Sequence, residues 1–452
     1  MNAKIFRCFF TLFAVSACTT AKVYIPIDIS EGVSDQDASD AVLNNDATAT
    51  SDTGGGNDTA VTDVEKIEVS LTFTPACKAD NECTAGGCVD GVCVFKAAAN
   101  EAGNLSDPNN DYEASSEKLE LGCVDQPIAE AIKGLPDIKT VTIWGRVDRF
   151  GGGDITSDVT VEVFKMTDFH PEVCAGIVDN DARDACFHDP KQVGAPIAQT
   201  ISLDADQAAV DAKIDLKSKV AANGLCVHHL DCPNGYECQK SKQDAAKVCK
   251  KVHGVYALEG IPTNTELVMR VRKHSAQADW HDSYYWDIVL FSDHIDPKGE
   301  GNQPTKYIDT NTYHVNPTIV GQGQWQLVPL TLGLPDIQDG NGVVGGRIRD
   351  CGVADKRGGF PIHNAKLGMG VPPTGLAFFN DNEDDTVPIK SKSATDTLGR
   401  FAAVDLPPGA NRVSATVQVG ADTLKLGSQN VFVIPGSLTI VSLPGRIPVL
   451  TK

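Results

Sequence analysis

Gly333-Leu334-Pro335-Asp336-Ile337 repeats Gly134-Leu135-Pro136-Asp137-Ile138. Each copy runs on to a Gly-Arg step, Gly145-Arg146-Val147-Asp148 in the first and Gly346-Arg347-Ile348-Arg349-Asp350 in the second, at nearly the same distance. A pentapeptide that recurs with its downstream partner predicts two domains of one type in tandem. Around both copies the chain breaks into short β-branched or apolar runs separated by Gly, Pro, Asn and Asp, at 141–147, 159–164, 267–271 and 288–291, and again at 343–348, 375–379, 413–419, 430–434 and 437–443. Helical periodicity is scarce. This patterning predicts an all-β chain of antiparallel sandwiches rather than α/β winding.

Further motifs follow in order in the last third. After the Gly346 strand come Gly359-Phe360-Pro361-Ile362-His363-Asn364-Ala365, then Thr395-Asp396-Thr397-Leu398-Gly399-Arg400-Phe401, then Leu406-Pro407-Pro408-Gly409. Gly supplies turn conformations closed to other residues, Pro presets them, and Phe401 and Leu406 are expected to face an inter-sheet core. This series resembles the carboxypeptidase regulatory-like (transthyretin-like) β-sandwich family. The resemblance implies an Ig-like, two-sheet scaffold, not the peptidase for which that family is named. The middle region is similar to the same family through the Gly145 strand and Leu258 to Thr265. It lacks the Thr-Asp-x-x-Gly-x-Phe hairpin and carries a long insert.

The chain of 452 residues exceeds what one core usually serves. Its start, with Lys4 and Arg7 before a short apolar run ending Val15-Ser16-Ala17-Cys18, is similar to a bacterial lipoprotein signal. That resemblance implies cleavage after Ala17, acylation of Cys18, and membrane attachment through acyl chains. With Thr19 rather than Asp after the Cys, it further implies an exported protein held at the outer membrane, periplasmic or at the cell surface. Losing residues 1–17 removes Lys4 and Arg7 and no acid, so the formal charge of −21 becomes −23. So acidic a surface argues against nucleic acid as a partner. The acidic, Gly/Ser/Thr-rich residues 18–73 cannot bury enough apolar surface to order themselves, and are expected to be a disordered tether spanning roughly 40 Å.

Fourteen Cys less Cys8 and Cys18 leave twelve, an even number that in an exported chain points to disulfides. Cys77, Cys83, Cys88 and Cys93 form one Cys-rich module, and Cys226, Cys232, Cys238 and Cys249 a second; two bridges are expected in each, with the three pairings left open. Zinc is the competing reading, but paired Cys-x2-Cys steps are absent. Cys174 and Cys186 flank a loop that a bridge would close. Cys123 and Cys351 are left as a pair that would join the two sandwiches, the alternative being that either one pairs elsewhere or remains free. The boundaries read as 1–17 signal, 18–73 linker, 74–100 Cys-rich module, 118–332 first sandwich with a Cys-rich insert at about 220–253, and 338–452 second sandwich.

Chemistry is sparse. There is no His-Glu-x-x-His, no Gly-x-Ser-x-Gly and no phosphate-cradling loop, so no catalytic residue is assigned. The densest polar-aromatic stretch holds Trp280, His281, Tyr284, Tyr285 and Trp286, a candidate surface for glycan or peptide stacking, against the plainer reading that alternate members pack in the core. A metal held by His281, Asp282 and His294 is a weaker reading. Asp381, Glu383 and Asp385 space oxygens as Ca²⁺ would need, but Thr386 stands where an EF-hand needs Gly, which favours a solvated acidic loop. No other cofactor is implied. The expectation is a noncatalytic envelope lipoprotein that displays its sandwiches for adhesion, ligand binding or structural support. A glycan- or peptide-binding subunit is the alternative, and an unrecognised hydrolase a distant third.

Overall fold

The computed structural model describes residues 75–83, 87–94, 104–105, 119–137, 139–150, 156–204, 236–240, 247–251, 253–274, 279–292, 312–351, 360–379 and 387–444. Residues 1–74 with Cys18, the Cys226 and Cys232 positions, His294, and Asp381, Glu383 and Asp385 lie outside the described residues. Among the described residues no helix is long and apolar enough to cross a membrane.

The chain is all-β. Seven strands form a first sandwich: β1 (Thr140–Arg146), β2 (Val159–Lys165), β3 (Ala198–Ile201), β4 (His253–Pro262), β5 (Glu266–Lys273), β6 (Ser283–Val289) and β7 (Thr312–His314). Seven more form a second: β8 (Gly342–Ile348), β9 (Lys366–Met369), β10 (Gly375–Phe378), β11 (Arg400–Leu406), β12 (Gly409–Val419), β13 (Asp422–Val433) and β14 (Leu438–Leu443). Two longer helices, α1 (Asn180–His188) and α2 (Gln322–Leu332), lie between strands of this series. Adding seven to a strand number converts one sandwich into the other. Strand β1 lies between antiparallel β4 and parallel β7, as β8 lies between antiparallel β11 and parallel β14. Strands β2, β5 and β6 are neighbours in that order, as are β9, β12 and β13. The third strand departs from the match. β3 pairs β2 before the chain crosses to β4 through Leu203–Asp204, whereas β10 pairs β11.

The repeated residues explain the repeated geometry. Gly333 ends α2 in a left-handed conformation, and Gly134 holds a similar φ of 79° soon after the short helix Ile128–Ala131. Gly145 is the cross-strand partner of Tyr256, and Gly346 that of Phe401, both aromatics facing the core. A Cβ at Gly145 would overlap the Val315 carbonyl, and one at Gly346 the Val441 carbonyl. Each glycine therefore lets the parallel strand close on its sheet. Matching bulges follow, with Gly260 and Asp405 at positive φ.

The two sandwiches are not separate beads. Ser283, Tyr284 and Tyr285 of β6 pair in parallel with Leu438, Thr439 and Ile440 of β14. This joins β10-β11-β8-β14-β6-β5-β2-β3 into one eight-stranded sheet. The boundary expected near residue 332 divides the sequence but not the sheet.

Both faces of that sheet are covered, which is why Leu267-Val268-Met269 and Tyr284-Tyr285-Trp286 run on without alternating. On one face Val159, Val161, Val163, Leu267, Met269 and Val271 meet Val141, Ile143 and Leu258 of the first sandwich. Further along the same sheet, Val343, Ala402 and Val404 are covered by Trp325, Val328 and Leu332 of α2. The opposite face buries Phe164, Val268, Tyr284 and Trp286 beneath the segment that holds α1, and Val344, Phe401 and Ala403 against β9, β12 and β13.

The first Cys-rich module is a hairpin, Gly87–Val89 with Val92–Val94, seated on the outer face of β9 and β12. Val92 and Val94 are buried there, and a Cβ at Gly368 would strike the Cys93 carbonyl. The second module shows a hairpin, Tyr236–Lys240 with Lys247–Lys251, in which Cys238 and Cys249 are register partners.

Candidate functional site

The stretch Trp280–Trp286 lies at the seam between the sandwiches. Because β6 is covered on both sides, its alternate residues enter different cores. Tyr284 and Trp286 are 1% and 3% exposed, with ring centroids 6.1 and 6.0 Å from that of Phe169. Tyr285 points to the opposite face, where its hydroxyl accepts the Thr318 N–H and burial pushes its pKa up to about 12. The five aromatic and histidine positions thus share no single surface, and Tyr284 and Trp286 are core residues.

Trp280 and His281 remain half-buried on a three-stranded ribbon with Thr318–Gly321 and Asp148–Arg149. The Arg149 guanidinium lies 5.4 Å from the Trp280 ring centroid. His281 stacks on Trp325 at 4.1 Å, its Nδ1 donates to the Gly436 carbonyl at 2.9 Å, and its Nε2 is 2.6 Å from Gln322 Oε1. Both ring nitrogens are therefore committed to protein partners rather than turned toward a metal. Asp282 joins the same seam: its carbonyl accepts the Leu438 N–H at 2.8 Å, and its carboxylate meets His188 Nε2 at 2.8 Å.

Beneath α1 sits a buried ion network. Glu162 and Arg270 are cross-strand partners, each 2% exposed. Arg270 Nε donates to Glu162 Oε2 at 2.6 Å, Arg272 Nε donates to the same oxygen at 3.0 Å, and Arg270 Nη1 donates to the Phe187 carbonyl at 2.5 Å. Burial raises the Glu162 pKa, but the two arginines outweigh it and hold the carboxyl below its ordinary range. The network pins the last turn of α1, itself closed by Cys174–Cys186, onto the shared sheet. Charged residues at the centre of the Val-Glu-Val and Met-Arg-Val runs were the available signal, because a charge inside such a strand needs a partner.

The motif Thr395–Phe401 is a turn lock. The Thr395 hydroxyl donates to the Ile362 carbonyl and accepts the Ala365 N–H, and Asp396 accepts the Arg400 N–H at 2.7 Å and Arg400 Nε at 2.6 Å. Thr395 and Asp396 are fully buried, so their polar atoms serve the fold rather than a reaction.

Four bridges are formed among the described residues: Cys77–Cys88, Cys83–Cys93, Cys123–Cys351 and Cys174–Cys186. The sulfurs of Cys77, Cys83 and Cys93 lie within 4.8 Å of one another, a spacing three thiolates could offer a metal, but each is already bonded in a bridge. Cys123–Cys351 encloses the whole first sandwich, with a sequence separation of 228. Alongside it, Cys351 N–H donates to the Glu120 carbonyl, and Lys425 contacts both Asp90 and Asp125.

The strand pairing and the seam define the class: an all-β protein of two sandwiches that match in six strands, fused through one sheet and stapled by disulfides. No family model matches the chain, and no curated protein matches it. Among solved structures it is similar to a leucine-rich repeat protein from Bacteroides thetaiotaomicron, at 9% identity over 69% of this chain and 27% of that one, with a TM-score of 0.14. It is also similar to the shaft pilin SpaA from Lactobacillus rhamnosus GG, at 10% identity over 67% of this chain and 97% of that one, and to a streptococcal ancillary pilin, at 10% over 68% and 63%, both with a TM-score of 0.14. At these scores the likenesses carry no argument, and the fold class rests on the strand pairing itself.

Proposed function

We propose that the chain is a noncatalytic envelope lipoprotein, anchored through Cys18 and displaying a single rigid body made of both sandwiches. The observation that carries this reading is the seam. The residues with the richest chemistry, from Trp280 to Trp286, are spent on joining two domains. The polar clusters built on Glu162, Asp396 and Asp405 likewise hold strands and turns in place. A disulfide around the whole first sandwich supports the same role, since a crosslinked two-domain body keeps its shape on a tether without a partner. Adhesion or structural support follows more directly than glycan stacking, because Tyr284 and Trp286 cannot reach a ligand.

The anchor is tested by metabolic labelling with a palmitate analogue in wild type and Cys18→Ala. Label lost with Cys18 supports the reading, and equal incorporation refutes it. Protease shaving of intact cells then decides whether the folded body faces outward.

A further inference from the structure

We infer that Cys123–Cys351 is a thiol-exchange site with a fixed polarity, at which an incoming thiol is captured on Cys123 while Cys351 leaves. The backbone N–H of Cys123 donates to Cys351 Sγ at 3.0 Å. When the bond breaks, that donor remains in place to stabilise negative charge on Cys351, whereas no hydrogen bond to Cys123 Sγ is present among the described residues. The sulfur better able to carry charge is the better leaving group. Both cysteines are also partly exposed, as are Cys83 and Cys93, whereas Cys174 and Cys77 anchor the other two bridges in buried positions.

The reductant is a low-molecular-weight or protein thiol. Its thiolate attacks Cys123 Sγ, a new S–S bond forms, and the electron pair of the old one departs on Cys351. A second thiol then displaces the first, leaving two cysteine thiols and an oxidised disulfide of the reductant. Opening this bond frees the strap 119–126 from its covalent tie to the end of β8. The exchange depends on no anchor, so it stands or falls apart from the lipoprotein reading.

The test treats the purified, oxidised chain with glutathione under native conditions, quenches in acid, and maps mixed disulfides by peptide mass. Glutathione on Cys123 over Cys351 by about tenfold is expected, and before Cys77–Cys88 or Cys174–Cys186 opens. Glutathione mainly on Cys351, or earlier opening of Cys77–Cys88 or Cys174–Cys186, would overturn the inference. A second measurement avoids the exchange. Cys351 in Cys123→Ser should react with iodoacetamide near pH 6.5 about tenfold faster than Cys123 in Cys351→Ser, because the first substitution keeps the backbone donor beside Cys351. Equal rates would count against the polarity.

Discussion

Ser283 of the first sandwich and Leu438 of the second are partners in a parallel strand pair, and the Leu438 N–H donates to the neighbouring Asp282 carbonyl at 2.8 Å. Through this contact two domains with six matched strands share one sheet, and the core on one of its faces runs from one sandwich into the other. The molecule is therefore expected to respond to damage as a whole.

Glu162→Ala should be among the most damaging single changes. It leaves Arg270, 2% exposed, without its carboxylate, and removing one partner of a buried pair costs about 3–5 kcal/mol. Denaturant unfolding measures the loss, and a change below about 1 kcal/mol would mean the pair is not buried as described.

Acid should act through the same residue. A carboxyl whose folded pKa is depressed contributes stability at pH values above its unfolded pKa, and that contribution fades as pH falls through the folded value. Glu162 is depressed by Arg270 and Arg272 against the effect of burial, and Asp405 by its bonds from Thr374, Asn341 and Gln338 against the same effect. Melting temperature should thus be flat around neutrality and drop below about pH 4, with Glu162→Gln flattening the acid limb.

Alkali gives the opposite sign. Burial raises Tyr256, Tyr284 and Tyr285 above the ordinary tyrosine value, Tyr285 to about 12. Stability from these acids is intact below about pH 10 and declines as pH climbs from there toward the folded values. Absorbance at 295 nm should show three of the eight tyrosines ionising only when the protein unfolds.

Gly346→Ala should cost about 3 kcal/mol, since its methyl would enter the Val441 carbonyl and push β14 from β8. Gly323→Ala, in α2 with nothing within 4 Å, should be neutral or gain up to about 1 kcal/mol. Urea midpoints of the two variants separate steric closure from a general intolerance of glycine replacement.

Much of this was legible in the sequence because it is local. The Gly-Leu-Pro-Asp-Ile repeat, the Gly-Arg strands and the turn around Gly399 each act within a few residues. The fused sheet was not legible, because pairing Ser283 with Leu438 brings together segments that no local pattern relates. The run Leu267-Val268-Met269 did hold a clue, since a strand that fails to alternate is covered on both faces. The same double coverage accounts for Tyr284 and Trp286: in such a strand, aromatics on either face enter a core. Helix α2 was hidden in an uncharged segment whose apolar residues pack on the second sandwich and, through Trp325, on His281.

Hydrogen exchange across a denaturant series tests the shared sheet most directly, followed in β5 (Glu266–Lys273) and β11 (Arg400–Leu406) of the oxidised chain. One cooperative body predicts that both strands lose protection together, at one denaturant concentration and with one slope. Protection that persists in β11 while β5 exchanges freely would show two independent domains and contradict the fusion.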